Sequence, residues 1–270
     1  MALPCEAIIV AVAEHGQGRC PDLLVAPLAP LLPSVEAVAV AIDVLRASST
    51  ATVALARGAR EIVPAASVPQ ARRLRRRLPG YLLMGERGGL PPPGFDLGNS
   101  PLEALRAPIA GRGIVLTTSN GTRLLHRLAP APAVMVGCLL NRSAVARQAV
   151  ALAGPLGLPI VLACAGEGAG KRLALEDIIG AGAIAEAALA VEPSLSLDEW
   201  ARLALLAYRA ARGDLAAALA ATAHGRDLTA LGLGDDVAYC ARLDEWDTVP
   251  LLGRDTEGIL ALRPAPQPPP

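Results

Sequence analysis

Aromatic side chains are scarce. Phe, Trp and Tyr make up 2% of the 270 residues, which removes the stacking platforms used to bind single-stranded nucleic acid. Net charge is lacking too. The 25 basic and 25 acidic residues cancel, so no overall field draws the chain to nucleic acid or an acidic membrane. Any attraction for an anion must be built locally. The cysteines Cys5, Cys20, Cys138, Cys164 and Cys240 form no CxxC pair; an odd, scattered set reads as reduced thiols in a cytoplasmic protein. No HExxH motif occurs, and the scattered His15, His126 and His224 read as surface or capping residues rather than a zinc site. No basic segment leads a clean apolar stretch at the start, so no signal peptide is expected. The uncharged run 148–166 has the length of a membrane span, but Gly154, Pro155, Gly157 and Pro159 interrupt it. A helix end, a tight loop and a buried strand fit that punctuation, and no membrane partner is expected.

What is present is an alanine- and leucine-rich chain, 53% hydrophobic, with a regular alternation of elements. Apolar runs predict strands at 7–12, 38–42, 61–63, 81–84, 113–117, 134–136 and 159–163. Helices are expected between them at 49–57, 68–78, 101–107, 121–128 and 143–153. Such alternation with nearly all-apolar strands indicates an α/β protein, its largely parallel or mixed sheet covered on both faces. Beyond residue 173 the pattern is helical as far as 242, and the short apolar runs 248–252 and 258–262 read as returning edge strands. One α/β unit is expected over 1–262, with two lobes meeting near 154–159 as the variant. The tail RPAPQPPP, residues 263–270, cannot build regular hydrogen-bonded structure and is expected to be disordered.

In open α/β sheets, ligands sit beyond the C-terminal strand ends, where helix N-termini converge. Five polar loops fall there. DVLRASST carries Asp43, Arg46, Ser48, Ser49 and Thr50; an aspartate at a strand end can ligate a metal, and hydroxyls opening a helix can cap it or donate to phosphate. The loop 85–101, GERGGLPPPGFDLGNSP, is of a length that is usually functional and holds Glu86, Arg87, Asp96 and Asn99. LTTSNGT puts Thr117, Thr118, Ser119, Asn120, Gly121 and Thr122 at a strand-to-helix turn, a neutral cradle for an oxyanion. At LLNRSAV, Asn141 reads as a simple helix cap. ACAGEGAGKRLALEDIIGAG sets Gly166, Gly168 and Gly170 after a strand, with Glu176 and Asp177 in the first turn of the next helix, favourable for its dipole and open to a metal.

Familiar phosphate motifs fail on this last loop. A P-loop needs GxxxxGK[ST], but Ala165 replaces the first glycine and Arg172 the final hydroxyl. The acid-ended strand of a dinucleotide fingerprint is missing, since the chain is helical around Ala188. A cysteine-phosphatase loop from Cys164 would need arginine at Gly170, and a haloacid-dehalogenase pattern from Asp43 would need aspartate at Leu45. The basic run 71–78, ARRLRRRL, spreads five arginines around a helix without interleaved aromatics, a solvated face rather than a nucleic-acid surface.

The segments IDVLRASST, GAREIVPAASV, GERGG, GFDLGNSP, LTTSNGT and CAGEGAG…EDIIGAG, in this order, make the chain resemble the 2-phosphosulfolactate phosphatase family known from coenzyme M biosynthesis. The resemblance continues weakly into HGRDLTALGLGDDVAYCARLD; Ser48 and Ser119 stand where threonine is expected, which keeps the hydroxyl. It implies a magnesium-dependent hydrolase of three-layer αβα fold that removes phosphate from 2-phospho-3-sulfolactate. Joined to the loops, it yields a set of expectations. Asp43 and Glu86, with Asp177 or Asp96, ligate Mg²⁺. Arg46, Thr118, Ser119 and Asn120 hold the phosphate, with Asn99, Gly121 and Gly166 also against the substrate. Arg87 takes the sulfonate or carboxylate, because a planar donor fork suits such oxyanions. Asp43 or Glu176 is the alternative general base. The expected partner is a small anionic phosphate ester, and a homodimer is left open. The competing reading is a non-catalytic protein that binds a nucleotide at the 166–170 loop.

Overall fold

The computed structural model of the chain describes residues 22–33 and 36–266. Largely apolar runs form strands, because a strand covered on both faces has little wet side to reserve for polar residues. In chain order these are β1 (Asp22–Ala26), β2 (Val38–Ile42), β3 (Glu61–Pro64), β4 (Leu82–Gly85), β5 (Gly113–Thr117), β6 (Ala133–Gly137), β7 (Ile160–Cys164), β8 (Ser196–Leu197), β9 (Pro250–Arg254) and β10 (Leu260–Pro264). The helices are α1 (Ala47–Ala56), α2 (Val68–Arg77), α3 (Pro101–Arg106), α4 (Gly121–Leu128), α5 (Arg142–Leu156), α6 (Leu175–Val191), α7 (Glu199–Ala211), α8 (Leu215–Ala220), α9 (Ala223–Ala230) and α10 (Gly234–Cys240). Side-chain caps start several of them: Ser67, Ser100, Asp198, Asp214 and Thr222 each accept from a backbone N–H three residues on.

One ten-stranded sheet runs β4-β5-β3-β10-β9-β6-β2-β7-β1-β8. Two parallel blocks, β4-β5-β3 and β6-β2-β7-β1-β8, flank the antiparallel hairpin β9–β10. The hairpin meets each block through a single paired residue, Met135 with Leu251 and Ile62 with Leu262.

Strand β2 shows how both faces are filled. Val38, Val40 and Ile42 point into a core shared with Val145, Ile178 and Ile184, on α5 and α6. Ala39 and Ala41 join the opposite core, under Val53 of α1 and Leu124 of α4. A third, smaller core lies between Val63, Leu83, Val115 and Ala71 of α2. Burying a side chain such as Ile42 completely is worth about 1.5–3 kcal/mol. Helices, sheet and helices thus form the expected layers.

Several sequence expectations change. The runs near 248–252 and 258–262 are strands, but they lie mid-sheet and not at its edges; the edges are β4 and β8. Arg263 and Pro264 belong to β10, so the first two residues of the expected tail are in the sheet. Gly154 and Pro155 fall inside the last turn of α5, so the helix ends at Leu156, and the short loop 157–159 leads into the buried β7, the expected helix end, loop and strand. Strand β1 was not anticipated, and the expected strand 7–12 lies outside the described residues. Asn141 is more than a cap: fully buried, it accepts from Cys138 N and donates through Nδ2 to Val136 O and Thr248 O, tying β6 to the approach of β9. The arginines of α2 are mostly exposed, as a solvated face should be.

Candidate active site

The loops that follow β2, β4, β5 and β7 meet at one place. Arg46 Nη2 donates to Gly89 O, Ser119 N to Glu86 Oε1, Ala169 N to Asn120 Oδ1, and Val44 N to Asp177 Oδ1. Both parallel blocks contribute. Four of the five expected loops are therefore neighbours in space.

Three carboxyls lie buried together there. Asp43 directly follows β2 and accepts from Ala47 N, in the first turn of α1. Asp177 takes Val44 N on one oxygen and Gly166 N, at 3.0 Å, on the other, so it clips the β2 loop to the glycine loop. Glu176, only 2% exposed, faces His224 Nδ1 at 3.5 Å. Desolvation by burial is the main cause that raises the Asp43 pKa to about 6; His224 and the Ala47 N–H oppose it, and Glu86 and Glu176 add to it. Burial, then the charges of Asp43 and Glu176, push Asp177 well above the usual carboxylate range. His224 moves the other way from what burial dictates: desolvation lowers its pKa, but the Glu176 contact and the charge of Asp43 outweigh it and the net shift is upward.

His224 is the residue the sequence reading missed. It is neither a surface nor a capping histidine but a half-buried member of the acid cluster. His126 sits elsewhere, against Pro64 O. Cys164 is fully buried, and burial with the Asp177 and Glu176 charges pushes its thiol well up, so it is an inert wall of the cluster.

Glu86 organises the second wall. Its Oε1 accepts from Ser119 N at 2.7 Å, and its Oε2 from Ser119 Oγ and Gly89 N. Arg87 donates to Glu86 O and, through Nη2, to Thr117 Oγ1 at 2.9 Å. Gly121 lies so close to Asp43 that a Cβ there would stand 2.6 Å from Oδ2 and 2.7 Å from Ala47 Cβ. Only glycine leaves room for the carboxylate at the start of α4.

Other expected site residues have different work. Arg46 is buried at 3% exposure and bonds Asp236 Oδ2 at 2.6 Å as well as Gly89 O. Asp236 also accepts from Ser100 Oγ. Arg46 is thus the centre of a buried clamp joining α1, the Gly89 turn and α10. Its partner Asp236 lies in the GLGDD stretch, where the family likeness was weak. Thr118 and Thr122 exchange bonds across the turn into α4: Thr122 N donates to Thr118 Oγ1 and Thr118 N to Thr122 Oγ1. Asp96 is exposed and accepts from Leu83 N on the edge strand β4, with no partner shared with the acid cluster. Asn99 is buried at 4% exposure and its Oδ1 has no hydrogen-bond partner. The 166–172 loop closes on itself: Gly170, Lys171 and Arg172 N all donate to Glu167 O, and Glu167 N to Arg172 O. Gly166 N and Ala169 N are taken from outside the loop, by Asp177 and Asn120.

An open cleft of ≈ 710 Å³ fronts the cluster. Glu86, Arg87, Ser119, Asn120 and Arg123 line it together with Glu167, Arg172, His224 and Asp227. Among the described residues, no three His, Cys, Asp or Glu side chains form a metal cage. The donor chemistry nonetheless fits a hard cation. Asp43 and Asp177 are both held toward their neutral forms, by burial first and by neighbouring carboxylates as well, and a cation offsets both causes. Magnesium takes only one or two protein carboxylates and keeps several waters, so a full cage is not required.

A family model for 2-phosphosulpholactate phosphatase matches residues 28–255. A protein of Deinococcus radiodurans named probable 2-phosphosulfolactate phosphatase is 44% identical over 216 residues, 80% of this chain and 87% of the relative. Proteins of the same name from Symbiobacterium thermophilum and Thermotoga petrophila are 38% and 35% identical, covering 83% and 91% of this chain and 94% and 99% of theirs. The match spans the four loops that build the cleft and the α9–α10 segment that completes it, and the chain belongs to the 2-phosphosulpholactate phosphatase family.

Proposed function

We propose that this protein hydrolyses 2-phospho-3-sulfolactate, or a related phosphorylated hydroxy acid, to the hydroxy acid and phosphate with the help of magnesium. The observation that carries the reading is the buried group of Asp43, Glu176 and Asp177 set behind a cleft bordered by arginines. Buried acids alone repel an anionic ester; buried acids that share a cation attract one. Asp43 and Glu176 would hold that ion, since Asp177 and Glu86 direct both oxygens at other donors. When bound, magnesium lowers the pKa of a water and offsets charge on the phosphoryl oxygens.

The chain's own groups do the rest. The start of α4, with Ser119 and Asn120 on the cleft, offers its positive dipole end to the phosphoryl oxygens. Glu86 fixes Ser119 through two bonds and so holds that turn in place. Arg87, anchored by Thr117, presents a fixed charge to the substrate, and His224, also on the cleft, gives a hydrogen-bond donor. Fixed groups of this kind stabilise developing charge without reorganising.

The test is phosphate release from 2-phospho-3-sulfolactate, with magnesium and with chelator. Release that needs magnesium, and that Asp43→Asn abolishes, is expected. Undiminished release in chelator removes the metal, and no release from any phospho-hydroxy acid removes the reading.

A further inference from the structure

The charged groups of the cleft are not evenly engaged. Arg172 is paired with Glu167 at 2.7 Å. Arg87 has two of its donor nitrogens committed, to Glu86 O and Thr117 Oγ1, which fixes its plane and leaves donors over. Arg123, in the first turn of α4, is exposed, lines the cleft, and has no ion pair or hydrogen bond to its guanidinium among the described residues. The two guanidiniums are close enough that the Arg123 charge, after burial and against Glu86, contributes to lowering the Arg87 pKa. Like charges kept together at the rim of a cleft are relieved by an anion between them.

The proposed substrate carries three anionic groups, and this inference rests on that reading. Phosphate and carboxylate sit on adjacent atoms of the lactate backbone, and both are good ligands for a hard cation. The sulfonate stands one carbon further out and is weakly basic, a poor metal ligand. Guanidinium, itself weakly hydrated and forked, is the matching partner. Asp227, on α9, also lines the cleft, and its carboxylate repels the sulfonate. We infer that Arg123, with Arg87 beside it, forms a second anion subsite that takes the sulfonate, and that Arg123 sets the preference for sulfonated over plain phospho-hydroxy acids.

The experiment compares 2-phospho-3-sulfolactate with 2-phospholactate, in which a methyl group replaces the sulfomethyl. In Arg123→Ala, kcat/KM for the sulfonated ester should fall about tenfold to a hundredfold, mainly through KM. The plain ester should change by less than about threefold, so the preference collapses. Arg147→Ala, on exposed α5 surface, should behave as wild type. Equal losses on both esters, or none on either, overturn the subsite. Calorimetric binding of 3-sulfolactate is read in parallel, since it needs no turnover: weaker binding to Arg123→Ala supports the subsite and unchanged binding overturns it. If the wild type hydrolyses neither ester, the proposed function fails, and the binding result still decides this inference separately.

Discussion

At neutral pH a carboxyl displaced from 3.8 to about 6 is mostly ionised, and in Asp43 the ionised form has lost most of its water. The unfolded chain has no such penalty. Below pH 3.8 both states are protonated and Asp43 costs nothing; between 3.8 and about 6 the folded state binds the extra proton, and stability falls as pH rises. Each pKa unit is worth about 1.4 kcal/mol, so above pH 6 the penalty is roughly 3 kcal/mol. In chelator, Asp43→Asn should therefore unfold at a higher temperature than wild type at pH 7.5 and at a similar one at pH 3.5, while losing its activity. A variant less stable at pH 7.5 would contradict the electrostatic account. Gly121→Ala tests the same contact from the other side. Its Cβ must displace either Asp43 Oδ2 or the Ala47 methyl, so phosphate release should drop at least about tenfold, for a stability loss within the usual 1–3 kcal/mol of overpacking.

At the scale of elements, the Arg46 clamp decides between two readings of one residue. If Arg46 met the phosphate, its removal would lower activity and leave thermal unfolding alone. Buried between Asp236 and Gly89 O, it should do more. Arg46→Ala leaves Asp236 buried without its cation, which costs about 3–5 kcal/mol, and frees the Gly89 turn that Glu86 also holds. A lower melting temperature together with weaker catalysis is expected; unchanged melting would return Arg46 to the substrate. The sequence contained Arg46 but not its partner, because an ion pair across 190 residues leaves no local pattern. The four loops were legible for the opposite reason: strand, turn and helix start are local, and DVLRASST or LTTSNGT writes all three in a few residues. His224 escaped because its meaning comes from Glu176, which lies on another helix. The place of β9 and β10 escaped because apolar alternation reveals a strand and says nothing of its neighbours.

For the whole molecule, the metal and the fold are linked. An ion that binds only the folded state stabilises it by mass action, by about 2.7 kcal/mol at a hundred times its dissociation constant. Magnesium should raise the melting temperature of the wild type in proportion, and should do little for Asp43→Asn. An equal rise in both proteins would place the ion elsewhere.

The hairpin β9–β10 has a consequence for how the enzyme is born. Its strands begin at Pro250, long after β2, β4, β5 and β7 have been made, yet they occupy the middle of the sheet. A nascent chain that has emerged as far as α10 holds every acid and arginine of the cleft but lacks the strands between its two parallel blocks; helices α1 and α4, which pack on strands of both, span the gap. The hairpin then completes the sheet by pairing with β3 on one side and β6 on the other. Such distant pairing is slow; Asp43, Glu176 and Asp177 follow the directly paired β2 and β7, whereas Glu86 and Ser119 come from the block on the other side of the hairpin. The two walls of the cleft, one on each block, take their final spacing only when these closing strands are in place.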